Sequence, residues 1–294
     1  MPQIGRLFAG GQNRIACIWH GVFLGLFGLS LAFSFSGCTV LTPRAQMDQE
    51  VRARMDLASS YSANEQPRLA LRQLQALQGP ADNHPDYHFL YGLTWSKLQR
   101  HEQACEHFRK AVSLRPEFAQ AWNNLGQSYA ALDQAEKAEQ AFRQALDIPT
   151  YLTPEFAAYN LSRLYKDQGQ TEEAKGLARQ SLDANPEFVP AMILFSELLT
   201  ADNRIQEAVD IVSRGLQAQP NDVRLMQDLA ENLLRLGRQK QARQWFERIA
   251  KTADPQSEAA QVAADYLELL PQWELWPSLE WTPTPCFGHK PLDL

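Results

Sequence analysis

The chain has 294 residues, 45% of them hydrophobic and 10% aromatic, enough to bury a large apolar area. Its 28 lysines and arginines stand against 34 acids, for a formal charge of −6, with no basic stripe of the kind that neutralises a phosphate backbone. That balance argues against a nucleic-acid partner.

Taken from the N-terminus, Arg6 and Arg14 precede an acid-free apolar run, Gly21 to Phe35, that ends in small residues before Cys38. This is the layout of an export signal, and the run is short for a membrane-spanning helix. Residues 1–37 are therefore expected to be removed, leaving 26 basic residues against 34 acidic ones, a charge of −8. The FSGC sequence, Phe35 to Cys38, resembles the bacterial lipoprotein cleavage box, with Phe35 where leucine is usual. The resemblance implies that Cys38 becomes the acylated first residue of a lipid-anchored chain, with residues 38–48 as a polar tether. Two acyl chains suffice for stable attachment. Thr39, rather than an aspartate, follows the cysteine, which by analogy with enteric lipoproteins implies the periplasmic side of the outer membrane. Ordinary secretion, or an uncleaved anchor, is the competing reading.

Residues 49–255 carry an internal repeat. One column reads Ala70, Ala104, Ala138, Ala174, Ala208 and Ala242, at successive spacings of 34, 34, 36, 34 and 34 residues. A large apolar column reads Leu57, Tyr91, Leu125, Leu161, Phe195 and Leu229, and a small one beside it Ala58, Gly92, Gly126, Ser162, Ser196 and Ala230. Trp122, Leu125 and Tyr129 form one helical stripe and Ala138, Phe142 and Ala145 a second, with a break at Asp133 between them. Pro116, Pro186, Pro220 and Pro255 fall where second helices must end. No single hairpin can cover both its stripes, so the units must stack. The two extra residues of the 36-residue spacing lie in DIPTYLTPEF, around Pro149 and Pro154. Residues 256–270 read as one more helix that caps the open end, and residues 271–294 as an irregular tail rich in proline and tryptophan.

These columns resemble the tetratricopeptide (TPR) signature, which implies an all-α, right-handed solenoid of six helix-turn-helix repeats with first helices lining its inner face. The export signal, the lipid box, the six units and the enlarged link carrying Tyr151 to Leu161 together resemble the TPR lipoproteins of type IV pilus biogenesis. These are the pilotins needed for assembly of the outer-membrane secretin. That resemblance implies a non-enzymatic scaffold whose partner is a secretin subunit or another pilus component. A TPR lipoprotein serving cell-wall synthesis or polysaccharide export is the alternative.

Stepping two positions either side of the leucine column places Met55, Phe89, Asn123, Tyr159, Ile193 and Gln227, then Ser59, Leu93, Gln127, Arg163, Glu197 and Glu231, in the groove. It is expected to be partly apolar, through Met55, Phe89, Leu93, Tyr159 and Ile193, and acidic at its far end, which suits an amphipathic or extended peptide. Asn124 and Asn160 match a column whose amide can bond a peptide backbone, or can instead be satisfied internally. His101, Cys105 and His107 include a metal-ligand spacing, but Cys105 beside the alanine column reads as packing, so no metal or other cofactor is expected. Cys105 and Cys286 are the thiols left after cleavage and acylation, with no required disulfide expected. Nothing resembles a nucleophile motif or a phosphate loop, so neither an enzyme nor a small-molecule substrate is expected. Three of the seven tryptophans, Trp273, Trp276 and Trp281, crowd the tail, which reads as a docking segment or as a segment folded back on the last helices.

Overall fold

The computed structural model describes residues 43–269, thirteen α-helices with no strand among the described residues. In chain order they are α1 (Pro43–Ala63), α2 (Pro67–Gln75), α3 (Pro85–Lys97), α4 (His101–Leu114), α5 (Ala119–Ala131), α6 (Ala135–Leu146), α7 (Pro154–Asp167), α8 (Thr171–Ala184), α9 (Val189–Ala201), α10 (Ile205–Ala218), α11 (Val223–Arg235), α12 (Gln239–Thr252) and α13 (Glu258–Leu269). Six hairpins, α1–α2 to α11–α12, stack in sequence order. Export signal, Cys38 and tail lie outside the described residues.

The turn inside each hairpin is set by one residue in the left-handed region: Glu65, Gln99, Asp133, Gly169, Asn203 and Gly237, with φ between 55° and 75°. Each lies five residues before its alanine-column partner, so the backbone repeats the register read from side chains. The hydrogen bonds are those of a Schellman close. At α5–α6, the Gln134 N–H donates to the Tyr129 carbonyl (2.9 Å) and the Asp133 N–H to that of Ala130 (3.0 Å). The same pair recurs at Arg204 and Asn203, and at Arg238 and Gly237. Helix starts rely little on side-chain caps. Pro67, Pro85 and Pro154 open their helices instead, at the position where a missing N–H costs nothing, while two side chains accept from backbone N–H groups at their helix starts, Asp222 from Arg224 and Leu225 and Ser257 from Ala260.

All six residues of the alanine column are fully buried. Beside them the small column admits a ring: a Cβ built on Gly92 would lie 2.6 Å from Phe108, and one on Gly126 2.6 Å from Phe142. Tyr91, Leu125, Leu161, Phe195 and Leu229 are buried, but Leu57 is 42% exposed, against expectation. The column packs on the second helix of the unit before it: Leu125 joins Ala104 and Phe108 of α4, and Leu229 joins Val212 and Leu216 of α10. No such unit precedes α1 among the described residues, so Leu57 has nothing to pack on.

One boundary also differs. Residues 43–48, expected as tether, are helical, because nothing between Arg44 and Ala63 breaks a helix that Pro43 opens. At the other end α13 falls within the helix expected over 256–270 and continues the register. Its one buried residue, Ala263, falls 34 residues after Leu229, and Tyr266 stacks on Phe246 at 4.5 Å. Each first helix, α13 included, touches the next first helix, whereas second helices make no comparable contact with one another. The odd-numbered helices therefore line one continuous face. No helix among the described residues is long and apolar enough to cross a membrane.

Candidate partner-binding groove

The face of odd-numbered helices carries the residues expected in the groove, but many serve the core at the same time. Phe89 packs its ring 4.8 Å from that of Phe118 and 6.0 Å from that of Phe108. Tyr159 meets Phe188 edge-on at 5.5 Å, and the Arg163 guanidinium lies over the Tyr159 ring at 5.8 Å. Met55, Leu93 and Ile193 are likewise half-buried against core clusters. Phe118 and Phe188 were not foreseen as groove residues. Both are the residue just before a first helix, in the tripeptide Pro-Glu-Phe (116–118 and 186–188), and each packs against an aromatic of the preceding first helix. The repeated tripeptide is the signal that finds them.

Asn123 does not line the groove. It is buried, and its side-chain carbonyl accepts from the Asn160 amide at 3.0 Å, joining α5 to α7. The Asn124 amide donates back to the Gln120 carbonyl at 2.7 Å. Both candidate amides thus have internal partners. At the far end Glu197 pairs with Lys166, and Glu231 accepts from Gln227 at 2.9 Å. Between these acids sits Asp228, 68 residues on from Asn160 in the same column. Burial, helped by Glu231 and Glu197, pushes its carboxyl up to about 7, against the hydrogen bonds from Ser196 and Asn232. A cleft of about 530 Å³ lies between α5, α6 and α7, lined by Gln127, Asp133, Asn160, Arg163 and Asp167 among others.

The candidate metal spacing is not assembled. His101 bonds Gln99, and Cys105 is buried, its thiol pushed up to about 11 by that burial, which makes it inert. His107 instead faces His88, with their Nδ1 atoms 3.2 Å apart, and stacks on Tyr91 at 4.1 Å. No group of three potential ligands gathers among the described residues. The remaining arrangement is a surface of half-buried aromatics, amides and a few charges.

Comparison with known proteins identifies the repeat. Tetratricopeptide-repeat models match residues 96–133, 119–149, 165–225 and 199–266. Human protein O-mannosyl-transferase TMTC3 is 28% identical over 142 residues, 44% of this chain but 16% of that protein. Cytochrome c-type biogenesis protein CycH of Pseudomonas aeruginosa is 27% identical over 123 residues, 41% of this chain and 30% of that one. The chain thus spans less than a third of the curated relatives it matches. Among solved structures, PilW, described as a widely conserved type IV pilus biogenesis factor, superposes with a TM-score of 0.65 at 22% identity, over 74% of this chain and 99% of PilW. Pseudomonas aeruginosa PilF gives 0.63 at 18% identity, over 75% of this chain and 99% of PilF. The chain is thus an all-α protein of tetratricopeptide repeats, similar in fold to PilF and to the type IV pilus biogenesis factor PilW.

Proposed function

We propose that this protein is a non-enzymatic scaffold, held by lipid on Cys38 at the periplasmic side of the outer membrane, that helps build type IV pili by binding a secretin subunit or another pilus component and bringing it to the membrane. The observation that carries the reading is one of extent. The repeat stack is matched over 99% of the solved chains of both PilW and PilF, and in this sequence it follows a stretch that resembles an export signal and a lipid box. The mechanism divides between the two parts. The anchor fixes the chain at the surface where the ring forms, and the odd-helix face holds the cargo. A second reading, an adaptor for another envelope machine, draws on the partial likeness to CycH.

Deletion of the gene, followed by an assay of heat-stable secretin multimers in the membrane, separates the two. Loss of multimers that the wild-type chain restores, and the Cys38→Ser chain restores poorly, is expected. Multimers at the wild-type level in the deletion strain would end the pilus reading. For the groove, Arg163→Glu is a cleaner probe than Phe89→Glu, because Arg163 is exposed whereas Phe89 is packed on two core rings. It is expected to weaken partner capture with the melting temperature unchanged.

A further inference from the structure

Where one hairpin stacks on the next, two second helices stand side by side over the first helix between them, and the repeat produces the same cleft each time. Two of these clefts hold a tryptophan. Between α4 and α6 it is Trp122 of α5, which packs with Val112, Leu125 and Ala141 and donates from its indole Nε1 to the Pro116 carbonyl at 2.8 Å. Between α10 and α12 it is Trp245, packed on the core that holds Leu216 and Met226. The Arg248 guanidinium covers its ring at 5.2 Å and donates to the Pro220 carbonyl at 2.8 Å. In each case the carbonyl of the proline that closes a second helix is satisfied beside an indole.

The cleft between α8 and α10, over α9, has the register of both and the ring of neither. Met192 stands at the Trp122 position, 70 residues on, and Ile211 at the Trp245 position, 34 residues back. Met192 turns under α10: its sulfur lies 2.5 Å from where a Cβ on Gly215 would be, and the residues equivalent to Gly215 are Ala145 and Ile249. A cleft of about 610 Å³ is left, walled by Leu182, Phe195 and Ile211. At its edge the Pro186 carbonyl, equivalent to those of Pro116 and Pro220, accepts no hydrogen bond among the described residues. Arg214, at the Arg248 position, is exposed and has no partner among them either.

We propose that this cleft takes a tryptophan side chain of a partner polypeptide, seated as the chain's own Trp122 and Trp245 are in the equivalent clefts. Charge complementarity selects the ring. The Arg214 guanidinium suits the negative face of an aromatic system and the open Pro186 carbonyl suits an N–H on its edge, and among the large aromatic side chains only tryptophan offers a ring N–H. Arg179 already lies over Phe195 at 5.5 Å as the opposite wall. The exposed carboxylates of Asp183 and Glu187 share the rim with the two guanidiniums, so the site is neutral in sum and does not call for an anion. This surface stands apart from the pilus reading, because it opens between two second helices and not on the odd-helix face.

The test titrates the full chain with the tripeptide N-acetyl-Gly-fluorotryptophan-Gly-amide, whose fluorine resonance reports the bound fraction free of the protein's own tryptophans. Saturation in the millimolar range or below is expected, and at least threefold weaker binding of the analogue methylated at the indole nitrogen. Arg214→Ala, at an exposed position that does not endanger folding, is expected to weaken binding at least threefold. Ile211→Trp restores the internal ring of the α12 cleft and is expected to weaken it at least fivefold with the melting temperature unchanged or raised; if that variant fails to fold, Arg214→Ala and the methylated analogue decide. No binding, or binding indifferent to the methyl group or to Arg214→Ala, would overturn the proposal. So would a dimer in sedimentation of the chain alone that Ile211→Trp dissolves, since the cleft would then belong to a second copy.

Discussion

Hairpins three and four hold the same register with opposite distributions of volume. In the third, Gly126 leaves room for the ring of Phe142, which shares a core with Leu161 of the next first helix. In the fourth, the equivalent positions are Ser162 and Ala178, and the bulk has moved to Phe195 of the following unit, in the same core. The Ser162 hydroxyl, buried, donates to the Ala174 carbonyl at 2.7 Å, so the polar atom in the small column is satisfied. A helix-to-helix spacing that the repeat requires is thus met by complementary exchange across the interface, not by one fixed residue per column.

Breaking that complementarity produces the largest expected effect. Phe142→Ala is expected to cost about 3–5 kcal/mol, as deletion of a buried ring does when its site cannot collapse. Adding Leu161→Phe moves the interface towards the arrangement of hairpins four and five and is expected to return at least about 1 kcal/mol, a coupling read by a double-mutant cycle in urea. A double variant no more stable than the sum of its parts would mean that the two interfaces are not interchangeable.

The same contrast extends to titration, with opposite signs in the two halves. Asp228, between α9 and α11, has its carboxyl raised from 3.8 to about 7 by burial. The folded chain then holds a proton that the unfolded chain releases, so stability falls as pH rises between those values and is lowest above 7. Asp228→Asn removes the charge without the volume. It is expected to stabilise by on the order of 2 kcal/mol at pH 8 and to do little at pH 4. In the second hairpin, burial and then His88 lower His107 from 6.5 to about 4. His88, itself lowered by burial, donates from Nε2 to the Asp82 carbonyl at 2.9 Å and has Lys110 nearby, so neither ring gains from a second charge. The neutral pair contributes above pH 6.5 and is lost as pH falls towards 4. Hydrogen exchange in α3–α4 is therefore expected to quicken as the pH is lowered through that window, once corrected for intrinsic rates, while exchange in α11 slows from pH 8 to 5. Parallel changes in both halves would refute the contrast.

How much of this could be read from residues alone depends on whether a residue's partner lies at a fixed offset. The alanine and leucine columns were legible because their partners recur every 34 residues, and the six hairpins with their boundaries near Asp133 and the prolines follow directly. Leu57 fitted its column yet stayed exposed, since a column position says nothing about whether a preceding unit exists. Asn123 and Asn160 each stand in a column expected to face the groove, although their mutual bond spans an interval of 37 that no single repeat contains. His88 and His107 escaped for a related reason: the local spacing of His101, Cys105 and His107 drew attention to one helix, whereas the pairing runs between two. The groove as a face was legible, but the sharing of its aromatics with the core was not.

The least visible regularity is the left-handed turn residue, because four of the six are not glycine. Gly169 and Gly237 adopt φ of 75° and 72° without a side-chain penalty, whereas Gln99 at 59° and Glu65 at 55° bear it in full, and Asp133 and Asn203 bear less because short polar side chains tolerate this region. The penalty, not the turn, is what differs between hairpins. Gly237→Ala is accordingly expected to destabilise by about 1 kcal/mol and Gln99→Gly to stabilise by a few tenths to about 1 kcal/mol, the added freedom of the unfolded glycine offsetting part of the gain. Asn203→Gly should fall nearer zero. Chemical denaturation of the three variants side by side checks the ranking. If Gln99→Gly proved destabilising, its side chain would have to make a contribution outweighing the strain, and its long bond with His101, 3.3 Å from Oε1 to Nε2, is the candidate among the described residues.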